Sequence, residues 1–330
     1  MNRRKLFFLT VWLVGCSLVF FTIRELPLAG MLERLREISL LRLVGLLAIN
    51  SLILFLSVKR WQILAQVFDI QLSLTHLFKV RQAGNTISFV TPGPQFGGEP
   101  LQLYWLRQSQ EIPLDISLAI LGADRFMEIF INLSILLLSV IFIFYTDIEV
   151  NIAKTFLFIF LTVAILTILL VLFFRQPEWL KNIFKSLFSR FTHTVSNPNE
   201  SQNASSGWGR ILKKIEKNKS KVILAATIAL LGWIALLLEL FMMMEALGMS
   251  PNFYEIIFVM LGIRIALLMP IPGGVGTIEA SLFWSFEILG LTLAGAGGLI
   301  ALSRLRDVIV LFIGIGCLSN LSKLSLQTKA

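Results

Sequence analysis

Two glutamates stand where a continuous apolar helix cannot run. Glu99 closes the stretch "PGPQFGGEP" at 92–100, and Glu279 belongs to "PIPGGVGTIEA" at 270–280. Each is preceded by prolines and clustered glycines: Pro92, Pro94, Gly97 and Gly98 in one case, Pro270, Pro272, Gly273, Gly274 and Gly276 in the other. Each is also followed by an arginine, Arg125 26 residues after Glu99 and Arg304 25 residues after Glu279. Arg264 lies six residues before Pro270, and Gln95 sits inside the first turn. Carboxylates and guanidiniums at such breaks can pair with one another, carry a proton, or receive an anionic group. No nucleophile–base pairing or paired-Asp metal motif accompanies them. The two histidines, His76 and His193, stand apart, and neither a catalytic residue nor a metal or cofactor is expected.

The elements that must position these residues are membrane helices. Apolar residues make up 56% of the 330 and charged residues 15%, with a mean hydropathy of +0.81. A soluble domain shows roughly 45–50% and about 25%. The apolar runs are continuous, as in spanning helices, rather than alternating, as in an outer-membrane barrel. The clearest spans are about 6–23, 40–58, 125–145, 152–174, 222–244 and 304–320. The expected fold class is thus an all-α polytopic membrane protein with about six spanning helices. One integral domain covers 1–330, with repeat-like halves at about 60–150 and 222–322 and a basic loop at 175–221. Cys16 and Cys317 lie in apolar runs near opposite ends and imply no disulfide or metal site.

The two motif regions read as helical hairpins that enter and return on the same side. Residues 74–90 can form a helix, but Lys79 and Arg81 hold its early turns at the headgroups. What remains before Pro92 is about 15 Å of helix, enough to reach the bilayer middle and no further. Proline stops it, glycine permits the reversal, and 99–107 returns. The second hairpin runs over 252–269 and returns from about Thr277. With the N-terminus cytoplasmic, 20 of the 29 Lys and Arg fall on the cytoplasmic side and 5 outside. That bias follows the positive-inside rule and places both termini in the cytoplasm. The hairpins then enter from opposite sides, an inverted-topology repeat of the kind that builds transporter sites at the midplane. In a membrane the net charge of +9 points to topology rather than to nucleic acid.

The glutamates admit two readings. Each can simply occupy a first helical turn, where the macrodipole favours negative charge. Alternatively, an ionisable group at membrane depth marks a functional site. A helix N-terminus attracts phosphate and a carboxylate there repels it, so a bound anion requires the glutamates to be protonated or paired with arginine. Arg125 and Arg304 lie near membrane edges and can also snorkel; Arg264 is harder to explain as an anchor.

At these residues the sequence resembles the lysylphosphatidylglycerol synthase transmembrane region, also described as flippase-like membrane proteins. A hallmark of the form P-x-P-G-G-x-G-x-x-E is matched by Pro270, Pro272, Gly273, Gly274, Gly276 and Glu279. A proline-led turn ending in G-E is matched by Pro92, Gly98 and Glu99, and Arg125 and Arg304 fit the arginines that follow. A basic residue of the first motif is replaced by Gln95 or Phe96, and one before the second Glu by Ile278. Bifunctional relatives carry an aminoacyltransferase domain after the membrane region; this sequence stops at Ala330. The resemblance implies translocation of a membrane phospholipid or polyprenyl-linked lipid across the cytoplasmic membrane, with Glu99, Glu279, Arg125, Arg264, Arg304 and Gln95 as substrate-binding residues. A lipid-modifying synthase is a possible partner, and the oligomeric state stays open. The alternatives are a membrane enzyme acting on polyprenyl phosphates or phospholipids, and an accessory subunit of a lipid-modifying enzyme.

Overall fold

The computed structural model describes residues 38–91, 97–110, 112–144, 211, 213–269 and 271–327. Pro92, Pro94, Gln95, Phe96 and Pro270, the expected spans at 6–23 and 152–174, and most of the basic loop at 175–221 lie outside the described residues. Among the described residues there are eight α-helices, one 3₁₀ turn and no strand. They are α1 (Leu40–Val67), α2 (Leu74–Val90), α3 (Glu99–Gln110), α4 (Leu114–Phe144), α5 (Lys219–Ala246), α6 (Phe253–Ala266), the turn Pro272–Gly274, α7 (Thr277–Ile288) and α8 (Leu293–Gln327).

Helix starts follow local sequence chemistry. Ser39 and Ser73 accept hydrogen bonds from the amides of Arg42 and His76 at the heads of α1 and α2. Asn252 and Glu255 form a reciprocal capping box at the head of α6, at 2.9 and 3.0 Å. Among the described residues, two helices, α1 and α5, are long and apolar enough to cross a membrane. They also carry large apolar side chains on their outer faces, among them Leu40, Leu41, Phe55, Ile223 and Ile234, as α8 carries Phe312 and Ile315. Acyl chains accept such a surface and water does not.

α1 and α5 pack along each other in opposite directions. At one end, Asn218 and Lys221 donate to the carbonyls of Val67 and Gln66, and Lys214 to that of Phe68, which satisfies the terminal carbonyls of α1. Lys214 also pairs with the exposed Asp69 at 3.0 Å and, by hydrogen bond and charge, holds that carboxyl below its ordinary range. At the other end, Gly45 of α1 meets Met242 of α5.

This pair serves as a depth gauge for the two hairpins. The first, α2–α3, leaves from the end where α1 finishes, and Lys79 there donates to Asn320, late in α8, at 3.2 Å. The second, α6–α7, leaves from the opposite end, where Leu247 and Met249 pack on Gly298 and Gly295, early in α8. α8 runs between the two ends, and its Gly314 lies against Thr86 of α2. Each hairpin carries its own apolar core: Trp61, Leu64, Leu77, Leu106 and Ile120 in one, Met244, Leu282, Phe286 and Leu299 in the other.

Small residues set the closeness of both hairpins. A Cβ on Gly98 would overlap the carbonyl oxygen of Gly84, so the two legs of the first hairpin touch backbone to backbone. In the second, a Cβ on Gly262 would lie 2.6 and 2.7 Å from the hydroxyls of Ser285 and Ser281. Between helices in lipid, such close van der Waals approach replaces the hydrophobic drive that water provides.

Candidate functional site: two latched hairpin tips

The second turn is built from glycines in left-handed conformations: Gly273 at φ 59°, Gly274 at φ 60° and Gly276 at φ 86°. Only glycine adopts these freely. The turn aims the start of α7 inward, and Glu279 folds back so that its Oε2 accepts from the Gly276 amide at 2.7 Å. Its Oε1 receives Arg304 through Nε at 2.7 Å and through Nη2 at 2.6 Å. Arg304 also donates to the carbonyls of Gly273 and Gly274, at 3.2 and 3.4 Å, and to Asp307 at 3.1 Å. One guanidinium therefore ties the turn, the returning helix and α8 together. Beside it, Arg306 joins Asp307 to the buried Glu239 of α5, both at 2.9 Å.

The first tip repeats this device with other residues. Glu99 Oε2 accepts from the Gly97 amide at 2.7 Å, and the Gly98 amide donates to Ser88 at 2.9 Å. Arg125 approaches Glu99 Oε1 at 3.2 Å, an ion pair whose angle makes no hydrogen bond, while its other nitrogen donates to Glu128 at 2.9 Å. The centre of this network is Asp124, fully buried, which accepts from Arg60 of α1 at 2.7 Å and from Arg81 of α2 at 2.9 Å. Arg81 also lies over the ring of Trp61, 5.5 Å from its centroid.

The tips meet. Phe89, near the end of α2, presses on Gly273, where a Cβ would sit 2.5 Å from Phe89 Cζ. The sequence pairs Glu99 with Arg125 and Glu279 with Arg304, and the structure brings each pair into contact. Arg264 joins neither pair: it stacks on Trp233 of α5, 4.5 Å from the ring centroid. The substrate-binding residues expected from sequence did not include Arg60, Arg81, Asp124, Glu128, Glu239, Arg306 or Asp307, although Glu239 reads as lining a cavity. The sequence also placed Arg81 at the headgroups. Arg81 is instead buried, because Asp124 supplies the countercharge that burial requires. The one available signal was the density of charge in "GADRFMEIF" and "LSRLRDVIV", too rich for apolar spans. Among the described residues, no group of three His, Cys, Asp or Glu could hold a metal ion.

Apolar outer faces around a charged, closely packed interior define an all-helical membrane protein. The chain belongs to the family described as the lysylphosphatidylglycerol synthase TM region, which it matches over residues 8–314. It is similar to a UPF0104 membrane protein of Methanothermobacter thermautotrophicus, strain Delta H, at 21% identity over 275 residues, 79% of each chain. A second UPF0104 membrane protein of the same organism is 26% identical over 256 residues, 74% of this chain and 72% of the relative. No solved structure matches the chain.

Proposed function

We propose that this protein is a lipid flippase or related transporter, moving an amphiphile with an anionic headgroup across the cytoplasmic membrane. The observation that carries the reading is the meeting of the two tips, Phe89 against Gly273, each tip holding a glutamate latched to an arginine. Helix breaks at membrane depth are tolerated where they are buried in protein or line a wet cavity. Pairs of them from opposite sides, related by inverted topology, recur where substrate crosses at the midplane. On this reading α2–α3 and α6–α7 are re-entrant hairpins, the former entering from the cytoplasmic side. The termini are cytoplasmic, and Glu99, Glu279, Arg125 and Arg304 form the gate around the passing headgroup. The action is transport rather than bond chemistry, and a synthase that modifies the same lipid is its natural partner. The family's description, a region of a phospholipid-modifying synthase, supports a lipid as the cargo.

Reconstitution into liposomes with fluorescent phospholipids tests this. Wild-type protein should accelerate exchange between leaflets. Glu279→Gln should slow it about ten-fold or more, as loss of a buried charge-assisted pair predicts, and Glu99→Gln about two- to five-fold, since its pair with Arg125 is part-exposed and makes no hydrogen bond. Equal rates in mutants and wild type would remove both glutamates from the pathway.

A further inference from the structure

The two latch networks differ in how their charges balance. Around the first tip, Arg60, Arg81 and Arg125 face Asp124, Glu128 and Glu99, three against three. Around the second, Arg304 and Arg306 face Glu279, Asp307 and Glu239, two against three. Arg264 supplies the missing charge from a distance. It lies in the fields of Glu128 of one network and Glu239 and Arg306 of the other, and it is ion-paired to no carboxylate among the described residues. Its Nε is buried and has no hydrogen-bond partner.

Its depth follows from Trp233, the fifteenth of the 28 residues of α5. At 1.5 Å per residue that is roughly 20 Å from either end of the helix, the bilayer middle if α5 spans it. Arg60 lies three-quarters of the way along α1, toward one membrane face, and Glu239 lies about 9 Å beyond Trp233 toward the other. Arg264 is thus the guanidinium between the two networks. The indole covers its face and leaves its in-plane donors available, the geometry in which a guanidinium grips a phosphate with two parallel hydrogen bonds. Arg125 also has a buried Nε without a partner, but its terminal nitrogens are committed to Glu128 and Glu99, and Arg304 is committed to Glu279, Asp307 and the turn carbonyls.

We infer that Arg264, stacked on Trp233, is the midplane phosphate site, and that Arg125 and Arg304 hold the hairpin tips instead of contacting the headgroup. The inference rests on the transport reading above and identifies the group that passes. Charge balance narrows the ligand. With six arginines against six carboxylates, a dianion would leave two uncompensated charges at membrane depth and a monoanion one. The site therefore fits a phosphodiester on a lipid, always a monoanion, better than the dianionic form of free inorganic phosphate.

The test uses purified full-length protein in nanodiscs. Its ligands are dioctanoylphosphatidylglycerol, dioctanoylglycerol, which lacks the phosphate, and inorganic phosphate. Binding is followed by calorimetry and by tryptophan emission, with Trp233→Phe identifying the Trp233 signal. Wild type should bind the phosphatidylglycerol, and Arg264→Gln should weaken it about ten-fold or more, as loss of a charge-assisted hydrogen bond implies. Arg264→Lys keeps the charge and loses the fork; it should weaken binding about three-fold or more and serves where the glutamine variant does not fold. Binding of dioctanoylglycerol or inorganic phosphate as tight as that of phosphatidylglycerol would overturn the assignment. Unchanged phosphatidylglycerol affinity in folded Arg264→Gln or Arg264→Lys protein, with lipid exchange intact, would overturn the site and leave the transport reading standing. A wild type that neither binds the phosphatidylglycerol nor exchanges lipid would overturn both.

Discussion

The two hairpin tips use one device at different strengths. At the second, Glu279 is nearly enclosed and takes two arginine nitrogens on one oxygen, at 2.7 and 2.6 Å, while the same arginine holds the turn carbonyls. At the first, Glu99 is about twice as exposed, its side chain 19% accessible against 9%, and its arginine pairs at 3.2 Å with poor alignment. What the first tip lacks at its turn it gains deeper down, where Asp124 joins Arg60 and Arg81 and so binds α1, α2 and α4. The second tip is held at its turn and the first at its base. On the transport reading proposed above, opening at the first tip would cost less than at the second, since fewer charge-assisted bonds are broken there.

The comparison breaks most severely at Asp124. Asp124→Asn leaves Arg81 buried without its countercharge and Arg60 with only Glu128 at 3.7 Å, and removing one partner of a buried pair costs about 3–5 kcal/mol. The expected result is a large drop in thermal unfolding temperature in detergent, or loss of folded protein from the membrane. Next in size is the contrast between the glutamates. Glu279→Gln should destabilise by about 2–3 kcal/mol, since it weakens bonds to a charged group. Glu99→Gln should cost about 1 kcal/mol or less, as for a part-exposed pair. Equal losses in a side-by-side melt would mean that the tips are equally held. Where the tips meet, the effect should be comparable to or smaller than that of Glu279→Gln. Gly273→Ala places a Cβ in a left-handed conformation and against Phe89, and should cost about 1–3 kcal/mol. Phe89→Leu in the same chain should recover the steric part of that loss. No recovery would show that backbone strain alone accounts for it.

Much of the helix plan was legible in the sequence. Apolar runs and the proline–glycine interruptions predict helices starting near 40, 74 and 252 and the return of α7 at Thr277. The ends were less legible: α1 runs to Val67 rather than about 58, and α4 begins at Leu114 rather than about 125. Both helices continue through charged residues that hydropathy reads as boundary. Arg60 and Asp124 are the example, each looking like an end signal alone and each buried by the other.

The sequence by itself determined where the backbone breaks and which residue types stand there, because proline and glycine act on their own and adjacent dihedrals. It also set the spacing by which Glu99 and Arg125, and Glu279 and Arg304, could correspond. Only the tertiary structure decided that Arg60 and Arg81 serve Asp124, that Arg306 serves Glu239, and that Arg264 is left on Trp233 with free donors. Ion pairing depends on distances of a few ångströms between helices far apart in the chain. Sequence spacing carries no information on those distances until the helices pack.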